Sequence, residues 1–183
     1  MTMQDKPNDL LLLAGKVLAV LMQAIMAIGS VALAVAIPVI LFFQNDITAE
    51  MRAEHGDAIG VFPAMTTAGI MLIALVLVAL IFIFFGKLRA IISTVGEGEP
   101  FVPENAERLN LMAWLLLAVQ VLSIPLAALA LVLADWAGDI EDIEFTIGDG
   151  FDLTGILMVV VLFILARVFK HGAAMREDLE GTV

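Results

Sequence analysis

The chain has 183 residues, 62% hydrophobic and 16% charged, against about 45–50% and 25% in ordinary globular domains. A water-soluble domain tolerates exposed apolar patches of roughly a few hundred Å², so the excess must face lipid. Nine Lys and Arg against twenty Asp and Glu give a net charge of −11, which excludes the basic face that nucleic-acid binding needs. The absence of cysteine excludes disulfides, thiolate nucleophiles and Cys-based zinc sites.

A membrane helix needs about 20 apolar residues to cross a hydrocarbon core of roughly 30 Å. The first span is expected over 14–43, within an apolar run from Leu11 to Phe43 broken by Lys16, Gln23 and Ser30. It exceeds an upright crossing, so tilt or an interfacial extension over 9–15 should absorb the surplus. It is also longer than a signal-peptide core, and Asp5 and Asp9 spoil the positive leader, so no cleavage is expected. Gly15, Ala19, Gln23, Ala27, Ser30 and Ala34 form a small or polar stripe, which should face other helices. Pro38 lies near the far end, where a kink costs least.

The first loop covers 44–62. Ile47 to His55 suits a short helix that stops at His55-Gly56-Asp57. His55 has no second His at metal-ligand spacing and reads as an exposed loop residue. The second span is expected over 63–86, with Phe82, Phe84 and Phe85 at its end. The loop over 87–109 should begin as a continuation of that helix, because Leu88, Ile91, Ile92 and Val95 keep a helical stripe. Gly96-Glu97-Gly98-Glu99-Pro100 then breaks it. Pro103 should open the next helix, where proline is favoured, with Glu104 and Glu107 suiting the helix dipole. Phe101 should tuck back onto the helices, Asn105 should bond free backbone groups in the turn, and Arg108 should reach a carboxylate or a lipid phosphate.

The third span, over 110–134, carries Ala113, Gln120, Ser123, Ala127, Ala130 and Ala134 on one face. Gln120 should lie at the depth of Gln23, and a direct interhelical contact between the two amides is one expectation. Local bonding of each is the other. The loop over 135–152 holds seven acids without calcium-loop spacing. Its alternation of Ile143, Phe145 and Ile147 before Gly148-Asp149-Gly150 predicts a short β-hairpin. The fourth span, over 153–170, is the shortest, and Arg167 and Lys170 can snorkel at its end. A tail over 171–183 follows.

Orientation follows from the loop cations. With both termini inside, eight Lys and Arg lie on the cytoplasmic side and only Arg52 outside. The two outer loops then hold eleven acids. The expected fold is all-α, a single membrane domain of four antiparallel transmembrane helices, both termini cytoplasmic, in the bilayer of a bacterial inner membrane.

The segment Gly98-Glu99-Pro100-Phe101-Val102-Pro103-Glu104-Asn105-Ala106-Glu107-Arg108-Leu109 resembles the G-x-PF-x-x-x-N-x-x-RL signature of the bacterial membrane family called domain of unknown function 2975. The ending from Leu165 through Val168-Phe169, Gly172 and the acidic stretch to Thr182-Val183 is similar to that family's. Arg167 stands where the family often has Glu. The resemblance marks Pro100, Phe101, Asn105, Arg108 and Leu109 as interaction residues. It also implies a helix-turn-helix regulator as partner, because members are often encoded beside small regulators of the Cro/CI type.

Three functional classes then compare as follows. A non-enzymatic membrane sensor, or a partner that sequesters such a regulator, needs nothing the chain lacks. A coupled transporter normally keeps an ionisable residue deep in a span, and no span has one. A channel subunit, a structural membrane protein and a homo-oligomer stay compatible. An enzyme needs convergent catalytic groups, and His55 and His171 fall on opposite predicted sides. No enzyme activity, cofactor or metal is expected.

Overall fold

The computed structural model describes residues 7–55, 60–138 and 153–180. Five helices account for nearly all of them: α1 (Pro7–Phe42), α2 (Gln44–His55), α3 (Ala64–Gly96), α4 (Pro103–Ala137) and α5 (Leu153–Glu180). No strand occurs among these residues. The hairpin expected over 143–151, the acidic loop around it and the His55 side chain lie outside the described parts. Four of the helices, all but α2, are long and apolar enough to cross a membrane. At most 17% of each one's most apolar window is buried, and Leu11 and Phe42 are 80% and 81% exposed. Such surfaces suit lipid and not water. In lipid the backbone must satisfy its own polar groups, which favours uninterrupted helices.

The helices outrun the predicted spans. α3 continues ten residues past its predicted end, to Gly96, as the stripe from Leu88 to Val95 requires. α4 runs on to Ala137 and keeps Pro125 inside it. The tail expected over 171–183 is helical to Glu180, because Ala173, Ala174, Met175 and Arg176 are strong helix formers. α2 begins at Gln44, three residues earlier than expected, and only Phe43 separates it from α1. The Phe43 N–H still bonds the Val39 carbonyl at 3.0 Å, and the Ile47 N–H bonds that of Phe43 at 2.9 Å.

The chain divides into two compact units. Unit one comprises residues 1–27, 80–118 and 153–183. In it the first part of α1 runs antiparallel to the end of α3: Leu12 lies by Gly96, Gly15 by Ile92 and Gln23 by Gly86. The core joins Ile91 of α3, Leu109, Met112 and Ala113 of α4, and Leu162 and Ala166 of α5. Trp114 stacks edge-on to Phe163, ring centres 5.5 Å apart.

Unit two comprises residues 28–79 and 119–152. There the Thr48 hydroxyl donates to the Gln44 carbonyl at 2.7 Å and accepts the Phe62 N–H at 3.3 Å. Phe62 meets Trp136 edge-on at 5.6 Å, and Leu129 reaches Gly69.

The two small-residue stripes fare differently. All six α4 positions, from Ala113 to Ala134, are buried or half-buried. On α1 the stripe holds as far as Gln23, whereas Ala27 and Ala34 are exposed. Three successive steps of four residues overrun the 3.6-residue turn by about 40° each, so the stripe walks off the packed face. The α4 steps average close to 3.5 and stay on it.

Candidate functional site

α3 ends in a sequence-encoded stop. Gly98 is the only described residue with positive φ, at 85°, the left-handed region that glycine enters without a side-chain clash. Around it the Glu99 N–H bonds the Thr94 carbonyl at 3.0 Å and the Gly98 N–H bonds that of Val95 at 3.1 Å. These are the paired bonds of a Schellman C-cap. Four residues further on, Pro103 opens α4, with Val102 accepting the Asn105 N–H at 3.0 Å.

Asn105 occupies the inside of this turn and is 0% exposed. Its amide nitrogen donates to the Pro100 carbonyl at 2.9 Å and to the Thr94 hydroxyl at 2.8 Å. Its carbonyl oxygen accepts Nη1 of Arg108 at 2.8 Å. Thr94 in turn donates to the Ile91 carbonyl at 2.9 Å. Both amide protons and the amide oxygen are thus engaged. Arg108, expected to reach a carboxylate or a lipid phosphate, spends Nη1 on Asn105. That partner lies one helical turn back on the same face, so the bond forms with little ordering of the side chain.

Phe101 folds back onto α5. Its ring lies 5.4 Å from that of Phe169 and against Gly172, where a Cβ would approach Phe101 Cδ1 to 2.6 Å. Beyond it Arg176 reaches the Glu99 carboxylate at 3.1 Å. Leu109 is buried in the core. The two stretches that carry the family resemblance, about 60 residues apart, therefore form one joint in space. Gly172 was legible only as a motif letter, since its reason is a ring from the α3–α4 turn.

The Glu99–Arg176 pair is 53% and 42% exposed, where ion pairs contribute about 0.2–1 kcal/mol. Glu99→Gln is expected to lower detergent stability by less than about 1 kcal/mol, an effect that 0.5 M salt abolishes. Thermal unfolding at low and high salt checks it. A larger loss that salt does not touch would assign the pair a different role.

Gln23 and Gln120 fall in different units. Gln23 donates to the Phe82 carbonyl at 3.4 Å, and its amide lies over Gly86, 3.1 Å from where a Cβ would stand. Gln120 accepts the Ser123 hydroxyl at its main-chain carbonyl, 2.6 Å away.

Beside the joint, α4 and α5 enclose a groove of about 550 Å³. Buried Ala106 and Ala166 give it a small apolar floor, and Phe163 is the first α5 residue along it. Arg167, Lys170, Glu107 and Glu177 stand at its edges.

Four long apolar helices, two of them locked together by a buried-amide turn, place the molecule among multi-pass helical membrane proteins. The chain belongs to the family described as Protein of unknown function (DUF2975), whose model matches residues 44–183; α1 lies outside the match. No curated protein and no solved structure matches the chain.

Proposed function

We propose that this is a non-enzymatic membrane partner that holds a small helix-turn-helix regulator on its cytoplasmic side, in a bacterial inner membrane with both termini inside. The observation that supports this reading most is the joint itself. Pro100, Phe101, Asn105, Arg108 and Leu109 are spent on locking the α3–α4 turn to α5, which leaves the neighbouring carboxylates Glu104, Glu107 and Glu177 exposed. An acidic rim on a rigid joint complements a basic DNA-binding helix. A signal could act only by favouring one packing of the helices over another, and a joint that couples the turn to α5 would pass such a change to the rim.

A pull-down from native membranes in mild detergent tests the partner. A helix-turn-helix protein should co-purify with the wild type and be lost with the E104K/E107K double variant. Its absence from the wild-type eluate sinks the reading.

Orientation has a separate test, which the lack of cysteine makes clean. In intact cells a membrane-impermeant maleimide should label Ala53→Cys on α2 and leave Glu97→Cys unlabelled until the cells are opened. The reverse pattern would invert the topology.

A further inference from the structure

The groove between α4 and α5 in unit one lies where both helices change from apolar to polar. On α5 the apolar run that starts at Leu153 meets its first charge at Arg167, with Lys170 one turn on. On α4 the charged turns around Glu107 give way to the apolar run that begins at Leu109. Read along α5, the groove presents Phe163, then Arg167 and Lys170, then Glu177. At 1.5 Å per residue, Glu177 stands about 10 Å beyond Lys170 along the axis, a gap that two long side chains can narrow.

Among the described residues, Arg167, Lys170, Glu107 and Glu177 form no ion pair or side-chain hydrogen bond with one another or with any other group. Two free cations and two free carboxylates thus border one apolar groove. A simple anion would be drawn to Arg167 and Lys170 and repelled by Glu107 and Glu177. A ligand that carries a chain, a phosphate and a primary ammonium in that order meets Phe163, then Arg167 and Lys170, then Glu177 along α5, with Glu107 on the facing helix. The phosphate accepts charge-assisted bonds from Arg167 and Lys170, the ammonium donates to the carboxylates, and the chain lies on Phe163.

We propose that this groove seats one aminophospholipid of the phosphatidylethanolamine type, its phosphodiester on Arg167 and Lys170 and its ammonium on Glu107 and Glu177. The assignment rests on the membrane reading of the helices but not on the regulator. Glu107 and Glu177 enter both readings, so the two are told apart in the wild type: absence of a co-purifying regulator leaves the lipid selectivity standing, and absence of a retained lipid leaves the pull-down standing.

Native mass spectrometry of the full chain tests it. The protein is released from micelles holding equal amounts of dioleoyl phosphatidylethanolamine, phosphatidylcholine and phosphatidylglycerol. The wild type should retain one phosphatidylethanolamine, preferred about tenfold over either of the others, the size expected from one charge-assisted hydrogen bond. R167A/K170A should weaken retention of all three lipids. E107Q/E177Q should keep binding but erase the preference for the primary amine. Several results would overturn the proposal: preferred retention of phosphatidylglycerol, no retained lipid, or variants with wild-type selectivity. So would a lipid-free dimer in place of the adduct, or the deacylated headgroup glycerophosphoethanolamine retained as tightly as the lipid. The wild-type selectivity needs no variant, so a folding defect in either double variant leaves that arm intact.

Discussion

Asn105→Ala is expected to cost about 2–4 kcal/mol, a fall in the unfolding midpoint of roughly 5–15 °C for a chain of this size. The wild-type amide is 0% exposed and serves three partners. Truncation leaves the Pro100 carbonyl without its donor, the Thr94 hydroxyl without the amide and Arg108 without its acceptor. Stranded buried polar groups cost about 1–3 kcal/mol each; water admitted to the half-exposed turn should recover part of that. Asn105→Asp separates the terms. It keeps an acceptor for Arg108 but sets a carboxylate oxygen against the Pro100 carbonyl, so it should be destabilised as well. Asn105→Leu fills the volume and restores no bond, and it should be no better than alanine. Circular dichroism melts in detergent read all three. A loss under about 1 kcal/mol for Asn105→Ala would mean that water replaces the amide, and the turn would not be the lock described above.

Gly172→Ala should destabilise by about 1–3 kcal/mol, the usual cost of forcing an atom into an occupied space. The new methyl carbon would stand 2.6 Å from Phe101 Cδ1 and 3.2 Å from its Cγ. Turning the ring about its Cβ–Cγ bond moves Cδ1 but leaves Cγ in place at 3.2 Å, and the Phe169 ring packs beside it, centres 5.4 Å apart, so relief requires the two rings to shift together. The decisive comparison is the same substitution in a Phe101→Ala background. There the space is empty, and alanine is the better helix former by about 1 kcal/mol, so Gly172→Ala should become neutral or stabilising. A change of sign between backgrounds is the signature of direct contact. Equal cost in both would place the effect in the α5 backbone and remove Phe101 from the joint.

Much of this joint is legible in the sequence. The run Gly96–Pro100 marks a helix stop, Pro103 a restart, and an Asn in a sharp turn has free backbone groups to bond. These are local rules, decided within a few residues. The Asn105–Pro100 bond and the inward fold of Phe101 follow from them. Arg108 did not follow, because its partner depends on where the Asn105 oxygen points once both amide protons are used. Nor did the packing of the tail: Ala173 to Arg176 favour a helix, but nothing local says that the α3–α4 turn comes to lie against it. Gly172 was silent for the same reason.

Hydrophobicity and backbone hydrogen bonding act along the chain, so the residues alone predict four helices long and apolar enough for a bilayer, the stop at Gly96–Pro100 and the division of charges between loops. They do not decide which faces meet. Helices that are apolar nearly all round carry little periodic signal, and small-residue spacing misled on α1 beyond Gln23. Helix packing brings residues 98–109 onto 169–176 and leaves the groove beside them. Those contacts lie more than 70 residues apart in sequence and depend on shape, a ring against a missing Cβ and a carboxylate within reach of a guanidinium, which no local pattern records.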